Sequence, residues 1–176
     1  MTIRSIHLLG SPVLREKSED VAEIDDSVKE LLRDLLDTMY ADDGLGLAAN
    51  QIGVARQVAV VVTGEEPPLY LINPRLLESD GKTKEEEGCL SLPDLFAEVP
   101  RPARVVVETL DMDGNTIRVE AEDIKARAIL HEMDHLNGVL FIDHLSPLKR
   151  RMLLTKWKKL RKGKQGHLKH LTPAEA

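Results

Sequence analysis

The sequence predicts an α+β fold in which mostly antiparallel sheets surround a central buried helix, followed by a C-terminal amphipathic helix. Residues 57–62 and 69–72 have the apolar, β-branched composition of strands, and a D-G hairpin signal lies within residues 103–121. Residues 122–137 carry apolar side chains on more than one face, which indicates a buried helix. Residues 148–160 combine an apolar stripe with many Lys and Arg side chains, as amphipathic helices do.

The composition limits the class of protein. Hydrophobic residues make up 42% and charged residues 31% of the 176-residue chain, which is typical of a soluble globular protein. No apolar run reaches the roughly 18 residues of a membrane span, and the N-terminus lacks a signal-peptide pattern. The single cysteine, Cys89, excludes an internal disulfide. We therefore expect a cytoplasmic protein.

The charge is unevenly distributed along the chain. Residues 149–170 contain ten Lys or Arg and no Asp or Glu, whereas residues 1–148 contain fourteen Lys or Arg and twenty-nine Asp or Glu. The net charge of the longer part is therefore −15. We predict a catalytic domain over residues 1–148 and a basic C-terminal helix and tail over residues 149–176.

A first helix is predicted from about Asp26 to Ala41. Ser27 begins an S-x-x-E capping pattern at its start, and Asp26 is a competing cap. Residues 1–25 are predicted to be irregular, and residues 79–86 to be a polar, mobile segment. The apolar face of the helix consists of Val28, Leu31, Leu32, Leu35, Leu36 and Met39.

Residues 44–53 read G-L-G-L-A-A-N-Q-I-G, so the backbone must pass close to another group there. Their G-x-G-x-x-A spacing is that of a dinucleotide fingerprint, which needs a strand before it and a helix after it. Here a predicted helix precedes the segment and a predicted strand follows, so we reject a nucleotide site. Gln51 is either a satisfied buried amide or a donor to a substrate, and this segment alone does not separate the two.

Residues 131–135 read H-E-M-D-H and carry the central chemical prediction. On a helix, His131 and His135 lie four residues apart on one face and can bind one metal ion. Glu132 lies about 100° around the helix from His131, close enough to serve a water activated by that ion. Two buried imidazoles beside a carboxylate are hard to satisfy by packing alone, and a metal ion resolves this difficulty.

The third ligand is expected upstream of the helix. A thermolysin-like site needs a downstream Glu, but the next one after His135 is Glu175. A metzincin needs a His where Phe141 stands, and His144 has the wrong spacing.

Cys89 is the best remaining candidate for that ligand. A lone cysteine is usually a small buried hydrophobe, but Gly88 permits close approach to this one, and Glu87 is a candidate buried charge. One thiolate and two imidazoles leave a coordination position open, which is the layout of a catalytic rather than a structural site.

Three segments together resemble the peptide deformylases. Residues 44–51 are similar to the family's G-Φ-G-Φ-A-A-x-Q motif, residues 87–91 to its E-G-C-L-S motif, and residues 131–135 to its H-E-x-D-H motif. They occur in the family's order and approximate spacing, and the resemblance extends from about residue 5 to about residue 150. Leu130 is a departure, because many relatives carry Gln immediately before the first His.

The resemblance implies removal of the N-formyl group from the initiator N-formylmethionine of nascent polypeptides, with release of formate. It implies that Cys89, His131 and His135 bind one divalent metal ion. This ion is Fe(II) in typical members, while Zn, Ni and Co stay open. A hydroxide formed at the metal would attack the formyl carbon, with Glu132 as the general base and then the general acid.

The resemblance also implies contacts to the substrate. The oxyanion would be held by the metal, the side-chain amide of Gln51 and the backbone N–H of Leu90. An extended substrate would bind as an added strand, with its methionine side chain in a pocket. Further contacts are expected at Leu45, Gly46 and Gly88 along the substrate backbone and at Ile124 and Ala128 around the methionine.

Ser146 and Pro147 predict the start of the C-terminal helix. The simplest interpretation is an amphipathic helix packed on the body of the protein. Docking on the ribosome is a second interpretation that suits the family's substrate, and binding to a membrane surface is a third. DNA is not an expected partner. The apolar stripe consists of Leu148, Met152, Leu153, Trp157 and Leu160.

Two other functions stay open. Another metal-dependent peptide or amide hydrolase would be distinguished by its activity on acetyl- against formyl-methionyl peptides. A non-catalytic metal- or ribosome-binding relative is the other alternative. Intact Glu132 and Gln51 argue against it, because a non-catalytic metal site needs neither residue.

Overall fold

The structure is a computed structural model that describes residues 2–173. It has the predicted α+β architecture with antiparallel sheets. Among the described residues, none of the helices is both long and apolar enough to cross a membrane. The helices are α1 (Asp26–Ala41), α2 (Asp123–Leu136) and α3 (Pro147–Leu160). The strands are β1 (Ile6–His7), β2 (Gly46–Ala48), β3 (Val58–Val61), β4 (Leu69–Ile72), β5 (Arg75–Asp80), β6 (Thr83–Glu87), β7 (Ala97–Arg101), β8 (Arg104–Leu110), β9 (Thr116–Glu122) and β10 (Leu168–Lys169).

Within residues 2–173 the strands form four small sheets, with the orders β2-β3-β4, β5-β8-β9, β6-β7 and β1-β10. The predicted hairpin is present, because β8 and β9 pair in continuous register from Arg104 opposite Glu122 to Leu110 opposite Thr116. In the part of the chain that the structure describes, strand β2 lies at an edge of its sheet and pairs with β3 alone. Its outer edge can therefore accept another strand.

Helix α1 buries the predicted apolar face, including Val28, Leu35 and Met39, against β2 and β3. Burial of each such side chain contributes about 1.5–3 kcal/mol. The predicted cap is wrong by one or two positions. Asp25 is the cap, since its carboxylate accepts a hydrogen bond from the N–H of Val28 at 3.1 Å. Ser27 donates its hydroxyl hydrogen to that same carboxylate.

Helix α2 is central, as predicted. It follows β9 directly, and its buried residues pack between the β2-β3-β4 and β5-β8-β9 sheets. The chain leaves the helix at Gly138, whose φ of +74° lies in the left-handed region. A Cβ there would lie 2.6 Å from the backbone oxygen of Arg15, so only glycine fits. The residues that α2 buries in this core include Ala126, Ile129, Leu130 and Leu136.

The prediction of a mobile segment at residues 79–86 is wrong. Strand β5 runs to Asp80, a turn follows at Gly81 with φ +70°, and β6 begins at Thr83. Most side chains of β5 and β6 are exposed, so these strands lack the apolar alternation that reveals strands in a sequence. Pairing with β8 and β7 supplies their backbone hydrogen bonds instead.

Helix α3 begins at the predicted cap, where the hydroxyl of Ser146 accepts a hydrogen bond from the N–H of Lys149. The apolar stripe divides in two. Leu153, Trp157 and Leu160 pack on the body of the protein, as the simplest interpretation expected. Leu148 and Met152 remain 66% and 64% exposed. The expected boundary between residues 148 and 149 falls inside α3, and the division into two domains stays a prediction.

Candidate active site

The three motifs meet around one cavity of about 480 Å³. Gly46 reaches it from β2, Cys89 from the segment after β6, and His131 and Glu132 from α2. About forty residues of sequence separate each motif from the next. The packing of α2 against the sheet of β2 brings the first and third motifs together. The cavity is therefore assembled from non-local parts of the chain.

The three predicted metal ligands converge. Nε2 of His135 lies 3.2 Å from Sγ of Cys89 and 3.2 Å from Nε2 of His131. All three ligand atoms lie within 4.8 Å of one another. Ligand atoms on a tetrahedral ion with bonds of about 2.0–2.3 Å lie about 3.3–3.6 Å apart. The spacing and the thiolate-imidazole chemistry of these side chains therefore fit one divalent transition-metal ion.

Glu132 lies beside this cluster and is 4% exposed. Its Oε2 is buried and has no hydrogen-bond partner among the described residues. Burial raises the pKa of Glu132 to about 7, with the charges of Glu87 and Asp134 acting in the same direction. A carboxyl group that exchanges a proton near neutral pH is suited to general acid-base chemistry. Gly46 is required opposite it, because a Cβ there would lie 2.6 Å from Oε1 of Glu132.

The structure is compatible with both interpretations of Gln51, as a satisfied buried amide and as a donor to a substrate. Its Oε1 accepts a hydrogen bond from the N–H of Ala48 at 2.9 Å, and its Nε2 donates to Oγ of Ser91 at 3.0 Å. The amide is thus satisfied and buried. The same Nε2 lies 3.7 Å from Sγ of Cys89, so the donor end of the side chain faces the ligand cluster.

The residues predicted to contact a substrate surround the same cavity. Gly46 belongs to the edge strand β2, where an extended peptide can pair. The backbone N–H of Leu90 makes no backbone hydrogen bond within residues 2–173 and so is free to donate. Ile124 is 58% exposed at the mouth of the cavity, one turn of α2 before Ala128. The predicted contacts that line the cavity are Leu45, Gly46, Gly88, Leu90, Ile124 and Ala128.

A buried ion cluster supports the site from behind. Glu87, expected to be a buried charge, accepts hydrogen bonds from Nε and Nη2 of Arg101 at 2.6 and 2.8 Å. It also accepts from Arg127 at 2.6 Å and from Nδ1 of His131 at 2.9 Å. Burial raises the pKa of Glu87, but hydrogen bonds from Arg101 and His131 outweigh it and lower the pKa to about 2. An ionised Glu87 requires His131 to donate through Nδ1, which leaves Nε2 free for a metal.

The sequence analysis missed three members of this surrounding network. Arg101 ends β7, and Arg127 lies between Ala126 and Ala128 on the buried helix α2. A charge on a buried helix signals a buried partner. Arg101 also donates to Asp134 at 2.9 Å. Asn50 donates its side-chain amide to the backbone oxygen of His135 at 2.6 Å and so holds α2 against the loop after β2.

Known proteins with similar sequences and structures show the family to which the chain belongs. A family model described as polypeptide deformylase matches residues 3–151. The chain belongs to the polypeptide deformylase family. This confirms the predicted resemblance to the family and establishes the chain as an enzyme of that family. Members of the family remove the N-formyl group from nascent peptides, and they are metalloenzymes.

Individual relatives agree with the family model. The chain is 46% identical over 169 residues to peptide deformylase from Agrobacterium fabrum, covering 93% of this chain and 99% of the relative. It is 49% identical over 146 residues to peptide deformylase 1 from Clostridium acetobutylicum, covering 83% of this chain and 97% of the relative.

Solved structures of deformylases share the fold. The Legionella pneumophila enzyme has a TM-score of 0.87 at 39% identity, with 92% of this chain and 96% of that chain covered. The Ehrlichia chaffeensis enzyme in complex with actinonin has a TM-score of 0.88 at 37% identity, with 94% of this chain and 100% of that chain covered.

The departure from the family motif at Leu130 does not change the lining of the cavity. The side chain is buried in the core with Ala48, Val61 and Ile129 and is not among the residues that line the cavity. A residue at this position of α2 therefore affects packing rather than the chemistry of the site.

Proposed function

We propose that the protein removes the N-formyl group from the initiator N-formylmethionine of nascent polypeptides by metal-dependent hydrolysis and releases formate. The observation that carries the proposal is the position of an unpartnered, buried Glu132 beside the convergent side chains of Cys89, His131 and His135. A catalytic site needs such a free acid-base group, whereas a purely structural metal site does not. This favours an enzyme over the non-catalytic alternative.

The chemistry divides between the metal and the protein. Cys89, His131 and His135 would hold the divalent ion, which would supply Lewis acidity and lower the pKa of a water toward neutrality. Glu132 takes the proton of the attacking water at Oε2 and returns it to the departing amine. We propose Fe(II) as the native ion, with Zn, Ni and Co as alternatives. The thiolate of Cys89 then makes oxidation a route to inactivation.

Two donors of the protein would stabilise the oxyanion that forms when the formyl carbon is attacked. Nε2 of Gln51 already faces the ligand cluster and is fixed by the N–H of Ala48 at the other end of its amide. The free N–H of Leu90 is the second donor. Because both are held before the reaction begins, each is worth about 10²–10³ in rate.

The substrate would bind as a strand between the edge of β2 and the segment after β6. Leu45 and Gly46 offer backbone groups on one side, and Gly88 does so on the other. Ile124 and Ala128 on α2 form an apolar wall for the methionine side chain. A Cβ at Gly88 would lie 2.6 Å from the ring of Phe96, so a larger residue there requires this exposed ring to move.

The deciding experiment compares formate release from formyl-Met-Ala-Ser with acetate release from acetyl-Met-Ala-Ser, using protein purified without oxygen and analysed for metal. We expect about one metal ion per chain, rapid formate release and at least 100-fold slower acetate release. Equal rates would favour a general amide hydrolase. Bound metal without hydrolysis of either peptide would favour the non-catalytic alternative. Actinonin, bound in the Ehrlichia chaffeensis relative, is expected to compete with the formyl peptide.

We also propose that α3 docks on the ribosome, because it presents exposed apolar and basic side chains together. Leu148 and Met152 are exposed, and Arg151 and Lys156 are exposed without an ion-pair partner among the described residues. We expect ribosome co-sedimentation that weakens steeply with salt and is lost in R151E/K156E. The matched control is K17E/K82E, which makes the same change of charge at two exposed lysines outside α3. Equal co-sedimentation of the two variants would exclude docking through α3.

A further inference from the structure

The C-terminal strand reaches the rim of the cavity. After α3 the chain turns back, and β10 pairs with β1, with Lys169 opposite Ile6 and Leu168 opposite His7. The N–H of Leu8 extends this pairing by donating to the backbone oxygen of His167 at 2.7 Å. Lys169 consequently lines the cavity, although it lies outside the residues that the family model matches.

Lys169 holds the corner that follows α1. Its Nζ lies 2.7 and 2.9 Å from the two carboxylate oxygens of Asp42, with 35% and 16% of the two side chains exposed. Asp42 ends α1, and Asp43 then adopts a φ of +53°. Among residues 2–173, Lys169 is the one cation paired with Asp42.

This corner carries the edge on which the substrate would lie. The N–H of Gly44 donates to the backbone oxygen of Met39 at 3.0 Å, and β2 begins two residues later at Gly46. A Cβ at Gly44 would lie 2.7 Å from Cδ1 of Leu90, so the corner packs tightly against the Leu90 side chain. Gly46 packs equally tightly on Glu132. A shift of the corner therefore changes the spacing between the substrate edge and the reactive groups.

We propose that Lys169 is a positioning residue for the substrate and acts through Asp42 on the corner formed by residues 42–46. The inference rests on the proposed deformylase function, because it assigns a role in that same cavity. The ammonium group does not touch the reacting atoms. Loss of the contact therefore weakens substrate binding at the β2 edge and leaves the chemical step largely unchanged.

A purely structural role makes a different prediction. If the pair only fastens β10 to the body of the protein, its loss lowers stability and leaves KM unchanged. If Lys169 positions the corner, loss of the pair raises KM, and another cation at the same place keeps KM low. High salt should also raise KM, because the pair is partly exposed and salt weakens it.

The test uses full-length Lys169→Met, Lys169→Arg and Asp42→Asn, with Lys164→Met as a control that removes an exposed cation of the same tail. We measure kcat and KM for formyl-Met-Ala-Ser, unfolding midpoints, and amide hydrogen exchange of residues 42–46. We expect Lys169→Met and Asp42→Asn each to raise KM about three- to fivefold, with kcat within about twofold. The double variant should be no worse than either single variant.

Lys169→Arg should keep the KM of the unaltered protein. Exchange at residues 42–46 should quicken about three- to fivefold in Lys169→Met and Asp42→Asn, but not in Lys169→Arg or Lys164→Met. Values of KM and exchange equal to those of Lys164→Met would overturn the inference while leaving the proposed function intact. Absence of formate release from the unaltered protein would instead remove the proposed function. Hydrogen exchange would then decide by itself whether Lys169 holds the corner.

Discussion

Helix α2 has a reactive side and a supporting side, and both consist of buried polar groups. On the cavity side, Oε2 of Glu132 is buried without a hydrogen-bond partner among the described residues. On the other side, Glu87 satisfies its charge with Arg101, Arg127 and His131. An unpaired buried polar atom costs about 1–3 kcal/mol, and on the cavity side the fold accepts this cost at the proposed acid-base group.

His131 joins the two sides. Its Nδ1 contacts Glu87 in the supporting cluster, and its Nε2 faces His135 in the reactive cluster. The comparison teaches that the proposed acid-base group lacks a hydrogen-bond partner among the described residues, whereas the charge that orients His131 is fully paired. Each of the following changes acts first on one side of the helix.

The largest expected effect follows from Cys89→Ala, which dismantles the reactive cluster. With two imidazoles remaining, we expect loss of bound metal and of formate release together. Metal analysis after purification without oxygen measures the first, and the formyl-peptide assay measures the second. A full complement of metal in this variant would exclude Cys89 as a ligand.

Glu132→Gln keeps the ligands and removes only the group that carries the proton. We expect metal content to stay at that of the unaltered protein while kcat falls about 10³–10⁴-fold. Glu132→Ala should behave in the same way. Activity close to that of the unaltered protein in either variant would contradict the proposed role of Glu132.

Glu87→Gln breaks the supporting side instead. It leaves the guanidinium groups of Arg101 and Arg127 buried without their shared carboxylate, so we expect a loss of about 3–5 kcal/mol in the free energy of unfolding. Nδ1 of His131 also loses its charged acceptor, and metal affinity should fall about 10–100-fold.

Urea unfolding and competition with a metal chelator measure these two effects of Glu87→Gln. Glu98→Gln, at an exposed position of β7, is the control for removal of a carboxylate. Equal metal affinity in Glu87→Gln and Glu98→Gln would show that Glu87 does not orient His131.

The smallest expected effect is on the pH dependence of the free energy of unfolding in metal-free protein. The carboxyl groups of Glu132 and Glu87 change it in opposite directions. The pKa of Glu132 is raised to about 7, so its contribution is present below about pH 4.5 and is lost as the pH rises through about 7. The pKa of Glu87 is lowered to about 2, so its contribution is present above about pH 4.5 and is lost as the pH falls through about 2.

Metal-free Glu132→Gln should therefore exceed the stability of the unaltered protein above pH 7 by on the order of 2–3 kcal/mol, with the gap closing towards pH 4.5. Urea unfolding between pH 4.5 and 8.5 measures the gap. A gap that is independent of pH would mean that Glu132 does not titrate in the folded protein in this range.

Features with a local cause were predictable from the sequence. The period of apolar residues in α1, the Ser146 cap of α3 and the D-G turn between β8 and β9 each depend on neighbouring residues. The proposed reactive groups could be named for a similar reason, since His131, Glu132 and His135 form one short string on one helix. Cys89 was proposed because that string lacks a third ligand, and its thiol lies 3.2 Å from Nε2 of His135.

Features that depend on distant partners were not predictable. Strands β5 and β6 are polar on most positions and exist because β8 and β7 pair with them. The ion cluster needs Glu87, Arg101 and Arg127 to meet from three elements, and the corner after α1 needs Lys169 from the end of the described chain.

The sequence by itself determined which groups can perform the chemistry, because the choice of thiol, imidazole and carboxyl is a property of single residues and short spacings. Only the tertiary structure decided how those groups are held. The hydrogen bond from His131 to Glu87, the direction of the Gln51 amide and the contact of Lys169 with Asp42 each join residues far apart in the chain. Such pairs form only when packing of the core brings their elements together, and no local pattern records them.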